Sequence, residues 1–410
     1  MYICNIVMKL FIFNPESDLA LGQNSVNYTP SKNIRKMMDD VAALPIWLAM
    51  PGDVVLVPNY MQVRHKERSV IFYRLGAEFV TLAELRHLDI TEICPWGWNL
   101  TLRHQLLCWG VKEELLPTEE ELAKLRQLSS RVTATEVLQV FKDMEMYCTG
   151  LAENCTDVDS CRLFAEQHPE GVVYKSPWSS SGKGLCWCKG EFTEKIQHWC
   201  ERVLRTQGTV IAQTWEQREM DFAMEFYSDG QGHYDFVGYS LFETSPRGAY
   251  QHHYLMNDKD ILESLSQFVP KQAILSIKRR LLKALSQYTY KGYMGVDMMI
   301  VKNPEDGTFK IHPCVEINWR MNFGVFCHQF QERLVGKHSK GVLRLVNFKT
   351  PKQLQEYNKT NRDELYILKE SNRFVEGYTT LTPILPDTQA AAVIFLQRPQ
   401  ERWAASLSLP

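Results

Sequence analysis

Residues 172–188 read VVYKSPWSSSGKGLCWC, two short apolar runs, Val172 to Tyr174 and Leu185 to Cys188, around a loop rich in Ser and Gly. The pattern predicts a strand, a polar loop and a returning strand, with Lys175 closing the first run and Lys183 inside the loop. Amides in such a loop can approach phosphate oxygens closely because little side chain intervenes, and an ammonium at its edge adds charge. A nucleoside triphosphate is the guest this chemistry suits. A P-loop is excluded, since Pro177 stands where its first glycine is needed and Gly184, not Ser or Thr, follows Lys183. Loops of this composition are also ordinary hairpin connections, so the reading depends on the rest of the chain.

At 410 residues, 45% hydrophobic and 11% aromatic, the chain can bury a large core divided over two or three domains. A formal net charge of −2 offers no electrostatic footprint for nucleic acid, and no apolar run approaches the roughly 18 residues of a membrane span. Small ligands and a cytoplasmic location are the expectation. Eleven cysteines, an odd count scattered through apolar patterns (Cys4, Cys108, Cys200, Cys314, Cys327), read as reduced core thiols. Cys186 and Cys188 share a strand face, but no second pair at finger spacing supports zinc. The N-terminal MYICNIVMKLFIFNPESD lacks the basic region and cleavage site of a signal peptide and reads as a first buried strand, with Met8 as an alternative start.

Residues 1–125 alternate strand and helix signals: a strand at Ile6 to Phe13, a helix capped by Ser31, a strand at Asp53 to Val57, a helix from Asn99 to Trp109, and a capping box at Thr118 and Glu121. The turn Asn14-Pro-Glu-Ser-Asp18 lies at a strand's carboxyl end, where open α/β sheets place ligands, but reads as a polar connection. Trp96 and Trp98 read as packing. Helices are expected at Thr135 to Phe141, Ser160 to His168, after Thr193, and from Lys271 to Tyr290. Antiparallel strands are expected at Asp221 to Tyr227 and Tyr234 to Phe242, then at Tyr293 to Val301 and Phe309 to Ile317. Beyond Gly336 come short strand-like runs, Leu365 to Leu368 and Ala390 to Leu396, and a basic stretch that reads as a solvated face.

The last strand pair of the central region carries the second chemical signal. Asp297 lies on one strand, while Glu316 and Asn318, two apart on the next, point to the same side, and Arg320 continues that side. Oxygen ligands on adjacent strands suit a hard cation such as Mg²⁺, which shares its remaining positions with phosphates and water.

Taken in order, V-V-Y-K175-S-P-W-S-S-S-G-K-G, V-I-A-Q213-T-W-E, M-D221-F-A-M-E, G-V-D297-M-M and V-E316-I-N318-W-R320 resemble the ATP-grasp family over about residues 130–330. The resemblance implies an α/β chain of the ATP-grasp fold, with an N-terminal Rossmann-like pre-ATP-grasp domain (1–125) and a subdomain bearing the phosphate loop (126–212). A subdomain bearing the metal ligands (213–335) and a C-terminal extension (336–410) complete it. It implies that Lys175 contacts the α and β phosphates and that Ser179, Ser180, Ser181, Gly182, Lys183 and Gly184 form a lid over the β and γ groups. Gln213 begins the hinge, Thr214 and Trp215 read the adenine edge, Asp221 takes the ribose, and Met299 and Val315 floor the adenine. Asp297, Glu316 and Asn318 would hold Mg²⁺ or Mn²⁺, and Arg320 would steady the transferring group. Arg131 stands where the family usually has a second lysine, Gln213 where it has Glu, and Gly295 where some members have Arg. The implied reaction is an ADP-forming ligation of a small-molecule or peptide carboxylate to an amine or thiol through an acyl phosphate; a kinase on the same scaffold and a non-catalytic nucleotide-binding protein are the alternatives. For substrate, the local candidates are Arg247, Tyr250, His252 and His253; a metal on the two adjacent histidines is disfavoured because they face opposite ways on an extended chain.

Overall fold

A period-two pattern built into the sequence sorts the largest sheet into a dry face and a wet one. On strands β9 (Arg218–Asp229), β12 (Lys291–Lys302) and β13 (Phe309–Asn318), the residues Phe222, Met224, Phe226, Met294, Val296, Ile300 and Ile317 point one way. They bury against Ile274, Ile277, Leu281 and Leu285 of the helix Lys271–Leu285. The intervening Asp221, Glu225, Asp297, Met299, Glu316 and Asn318 face a cleft on the other side. The computed structural model describes residues 7–58, 76–179, 184–246, 248–361, 366–368 and 373–397. Ser180, Ser181, Gly182, Lys183 and Arg247 therefore lie outside the described residues, as do Cys4 and Ile6.

Three sheets are formed by the described residues. Strands β1 (Lys9–Ile12), β2 (Val54–Leu56), β3 (Glu78–Val80) and β4 (Glu92–Pro95) make a parallel sheet in the Rossmann-like order β3-β2-β1-β4. Strands β5 (Ala152–Cys155), β6 (Val172–Lys175), β7 (Leu185–Cys188) and β8 (Val210–Thr214) make an antiparallel sheet ordered β5-β8-β6-β7. Helices Val158–Gln167 and Glu194–Gln207 cover its inner face with Cys161, Phe164, Ile196, Cys200 and Val203. The remaining strands are β10 (Tyr234–Thr244), β11 (Tyr250–Leu255), β14 (Lys340–Asn347), β15 (Tyr366–Leu368), β16 (Arg373–Thr380) and β17 (Ala390–Gln397). With β9, β12 and β13 they complete a nine-stranded sheet ordered β13-β12-β9-β10-β11-β14-β17-β16-β15. The sheet thus runs through the expected boundary near residue 335, because β14 pairs with β11 on one side and β17 on the other. At the opposite margin β13 meets residues 147–149, with Thr149 N donating to Ile311 O at 2.9 Å and Ile311 N to Tyr147 O at 2.8 Å.

Helix ends differ from the sequence expectation for local reasons. Ser130 accepts from Val132 N, so the helix expected from Thr135 starts at Arg131, and after Leu138 it tightens into a 3₁₀ turn through Met144. The helix expected to reach Tyr290 stops at Leu285, since Tyr288 and Tyr290 turn inward to pack on Trp319. Among the described residues no helix is long and apolar enough to cross a membrane, and the cysteines are free thiols.

An aromatic cluster ties the first unit to the last. Trp47 meets Phe330 edge-on at 5.7 Å and donates its indole N–H to Leu381 O at 2.7 Å, while Phe330 stacks on Phe326 and Phe374 at 5.9 Å each. Phe330→Ala is expected to cost about 3–5 kcal/mol, read as an earlier denaturant midpoint with both units unfolding together.

Candidate active site

The cleft between the three sheets has a volume of about 770 Å³ and collects nearly every described residue of the sequence-level site. Its deepest positive charge is Lys175, at the end of β6. The ammonium is 6% exposed and donates to Gln213 Oε1 at 2.5 Å and toward Val315 O at 3.4 Å. Burial, with the Arg131 guanidinium nearby, pulls it down to about 8. Arg131, equally buried, donates to Ser176 O and Ser179 Oγ at 2.7 Å each and to Glu316 Oε1 at 2.9 Å. One guanidinium therefore joins the chain that follows β6 to strand β13. Gly184 closes the loop's other end, where an added Cβ would stand 2.1 Å from Ser176 Oγ and 2.3 Å from Ser179 Oγ.

The oxygen donors lie opposite. Asp297 and Glu316 are cross-strand partners, and Asn318 pairs with Gly295 one step further on. Asn318 Nδ2 donates to Asp297 Oδ2 at 3.1 Å, and Arg320 Nη2 donates to Asn318 Oδ1 at 2.9 Å. Burial holds the Asp297 carboxyl well above its usual range, and the charges of Glu316 and Glu225 add to the effect. Among the described residues no three His, Cys, Asp or Glu side chains by themselves form a group that could hold a metal, so the set depends on the amide oxygen of Asn318. Two carboxylates and an amide in a negative, dehydrated corner fit a hard divalent cation that completes its shell with phosphate and water.

Glu225 was quoted in the sequence motif but given no role. It is 1% exposed and accepts from Ser240 Oγ at 2.7 Å and Asn322 Nδ2 at 3.0 Å, and burial raises it to about 7. Two glycines make room for it: an added Cβ would fall 2.3 Å from its Oε2 at Gly295 and 2.0 Å from its Oε1 at Gly324. Gly295 is thus accounted for by Glu225, whose carboxylate occupies the space a side chain at 295 would need. Only the E at 225 in the motif could have signalled it.

The turn at Asn14 to Asp18, which read as a polar connection, faces the cleft instead. Asp18 accepts from Arg320 Nε at 2.9 Å and Nη2 at 2.6 Å. Asn14 fixes the turn by donating to Gly97 O at 2.6 Å and accepting from Gly97 N at 3.2 Å. Gly97 has no space for a side chain, its Cβ position lying 2.3 Å from Ser17 Oγ. Glu16 lines the cleft with its Oε2 buried and without a hydrogen-bond partner, and desolvation pushes its carboxyl up to about 7. Trp96 is buried as expected, edge-on to Phe13, yet also lines the cleft.

At the hinge, the amides of Thr214 and Trp215 are committed to Leu151 O at 3.0 Å and Gly171 O at 2.8 Å. Glu216 and Gln217 follow them into the cleft, and Thr149 donates to Glu216 Oε1 at 2.5 Å. Asp221 accepts from Arg218 at 2.9 Å and from Thr244 Oγ1 at 2.6 Å. Met299 and Val315 line the cleft as neighbours of the oxygen donors. Of the expected substrate residues, Tyr250 and His253 line it, bonded to each other at 3.0 Å, with Tyr250 stacked on Phe323. His252 turns the other way, its Nε2 3.3 Å from Glu243.

No protein-family model and no curated protein sequence matches the chain. Solved structures do. The biotin carboxylase domain of a 2-oxoglutarate carboxylase from Hydrogenobacter thermophilus, in complex with MgADP, ADP and bicarbonate, is 13% identical with a TM-score of 0.51 over 95% of this chain and 86% of its own. A biotin carboxylase from Campylobacter jejuni in complex with an ATP analogue is 10% identical, TM-score 0.53, over 96% and 88%. The chain has the ATP-grasp fold. A pyruvate carboxylase from Rhizobium etli shares this fold at 10% identity and TM-score 0.51, with 96% of this chain matching 36% of that much longer one. Within this ATP-grasp fold the order of strands agrees with the mixed α/β class and the parallel first sheet read from the sequence.

Two outcomes are expected. Gly295→Ala should destabilise the protein by about 1–3 kcal/mol in chemical denaturation, because its Cβ displaces a buried hydrogen-bonded carboxylate. Glu16 is raised from 4.5 to about 7 on folding, so the folded state holds its proton more tightly and stability falls as pH rises through that window. Its own amide opposes the shift and Asp18 adds to it, while burial first and the Glu16 charge second raise the Tyr28 hydroxyl. Glu16→Gln should therefore match the parent protein at pH near 5 and exceed it by about 1–3 kcal/mol near pH 8, measured by thermal unfolding.

Proposed function

We propose that this protein is an ATP- and Mg²⁺-dependent ligase that joins a carboxylate to an amine through an acyl phosphate, releasing ADP and phosphate. The observation that carries the reading is the convergence of Lys175 and Arg131 with Asp297, Glu316 and Asn318 in one cleft. Cations from the small sheet and the helix Arg131–Leu138 meet oxygen donors of the large sheet there, an arrangement that suits a metal-bound polyphosphate.

In this reading Lys175 binds the α and β phosphates, its ammonium regaining full charge when the anion arrives. Arg131 holds Glu316 and Ser179 in place and contributes charge to the same phosphates. Asp297, Glu316 and Asn318 would hold Mg²⁺ or Mn²⁺, which neutralises phosphate charge when bound. Met299 and Val315 floor the adenine, Asp221 accepts the ribose hydroxyls, and the adenine edge falls to groups at Glu216 and Gln217, since the two preceding amides are spent. Arg320, steered by Asp18, faces the group being transferred. The carboxylate attacks the γ phosphorus, and the amine then displaces phosphate from the acyl carbon inside a site that keeps water out. The bicarbonate and MgADP bound in the Hydrogenobacter structure support a small carboxylate-like substrate beside a nucleotide.

Incubation with ATP, Mg²⁺ and mixed carboxylates and amines should release ADP and phosphate, and hydroxylamine should trap a hydroxamate. ADP without hydroxamate would indicate phosphorylation of a hydroxyl instead. Lys175→Ala should weaken MgATP binding at least about tenfold with the fold intact, and Lys183→Ala by less. Equal affinity in Lys175→Ala and the parent protein, measured by titration calorimetry, would remove the foundation of the reading.

A further inference from the structure

Part of the cleft lining is apolar: Leu19, Ile34, Met37 and Trp96 from the N-terminal unit, with Phe323 tilted against Trp96 at 5.1 Å and stacked on Tyr250. One ionisable group in it lacks a counter-charge. Glu16 Oε2 is buried without a hydrogen-bond partner, and the charge beside it is another carboxylate, Asp18. Asp18 is already paired with Arg320, which gives it two hydrogen bonds and donates also to Asn318 Oδ1 and Met321 O.

The backbone that carries Glu16 is held in place. Glu16 caps the helix Ser17–Gln23, with its carbonyl accepting from Leu19 N at 2.9 Å and Ala20 N at 3.2 Å. The preceding residues are pinned by the Asn14 and Gly97 clamp, and Gly97 lies too close to Ser17 for the turn to shift. A carboxylate with one buried, unpartnered oxygen, lining a partly apolar cleft, is the complement of an ammonium group carried on an apolar body. A ligand carboxylate would find no free cation among the described residues lining this part of the cleft.

We infer that this part of the cleft receives the amine substrate as an alkyl- or arylalkylammonium, with Glu16 as its counter-charge and proton acceptor. The proton-transfer part of this assignment rests on the ligase reading above. Glu16 takes one proton from R–NH₃⁺, and the freed nitrogen lone pair attacks the acyl carbon. The C–N bond forms as the carbon–oxygen bond to phosphate breaks. Inorganic phosphate departs with the electron pair, and the second nitrogen proton is lost to it.

Titration calorimetry with phenethylamine and 3-phenylpropionate tests this, each with the parent protein and Glu16→Gln, with and without a non-hydrolysable MgATP analogue. The parent protein should bind phenethylamine saturably and prefer it to 3-phenylpropionate. Glu16→Gln should weaken phenethylamine by about tenfold or more, the loss of a charge-assisted contact, while its analogue affinity is unchanged and its melting profile near pH 5 stays that of the parent protein. Glu16→Asp should lose less. Equal phenethylamine binding by parent and Glu16→Gln, no saturable binding into the millimolar range, or preference for 3-phenylpropionate would overturn the assignment. Failure of the analogue to bind would overturn the nucleotide reading alone, since the titrations without nucleotide still decide the role of Glu16.

Discussion

Arg131 is the interaction on which the site depends. Its guanidinium spends hydrogen bonds on Ser176 and Ser179 of the small antiparallel sheet and on Glu316 of the large one. A planar, permanently charged group can hold such a fork where a lysine would supply a single point of contact. Where the ATP-grasp family usually has a lysine this chain has an arginine, and it acts as a strut between the chain after β6 and strand β13. Burial first, and this neighbour second, pull the Lys175 ammonium down.

Charge in the cleft is arranged by subtraction. Asp18 quenches Arg320, Arg131 quenches Glu316, and Gln213 binds Lys175 without a charge of its own. What remains unbalanced is Asp297 with Glu225 behind it at one point and Glu16 at another. In the proposed reading a divalent cation answers the first and an ammonium the second.

The strands bearing Lys175, Asp297, Glu316 and Asn318 were legible because alternation and short polar loops are local signals. The order of motifs then carried the fold. The role of Asn14 to Asp18 was not legible, since nothing local says that residue 18 will meet residue 320; that contact exists only once the first sheet is placed against the third. Glu225 was hidden for a related reason, its explanation lying in the missing side chains at Gly295 and Gly324. The hinge differed in detail because the pairing of β8 uses up amides that the linear motif leaves undecided. Past residue 336, short runs broken by polar connections gave no sign that they would extend the sheet already begun.

Strand β13, which carries Glu316 and Asn318, is the outermost member of the nine-stranded sheet. An uncovered margin of this kind invites pairing with a foreign chain. Here residues 147–149 lie along it and satisfy Ile311, and Pro313 removes a donor from the same strand. The chemistry thus sits on a margin that is sealed by the protein's own chain, so crowding and self-association can be resisted without thickening the wall of the cleft.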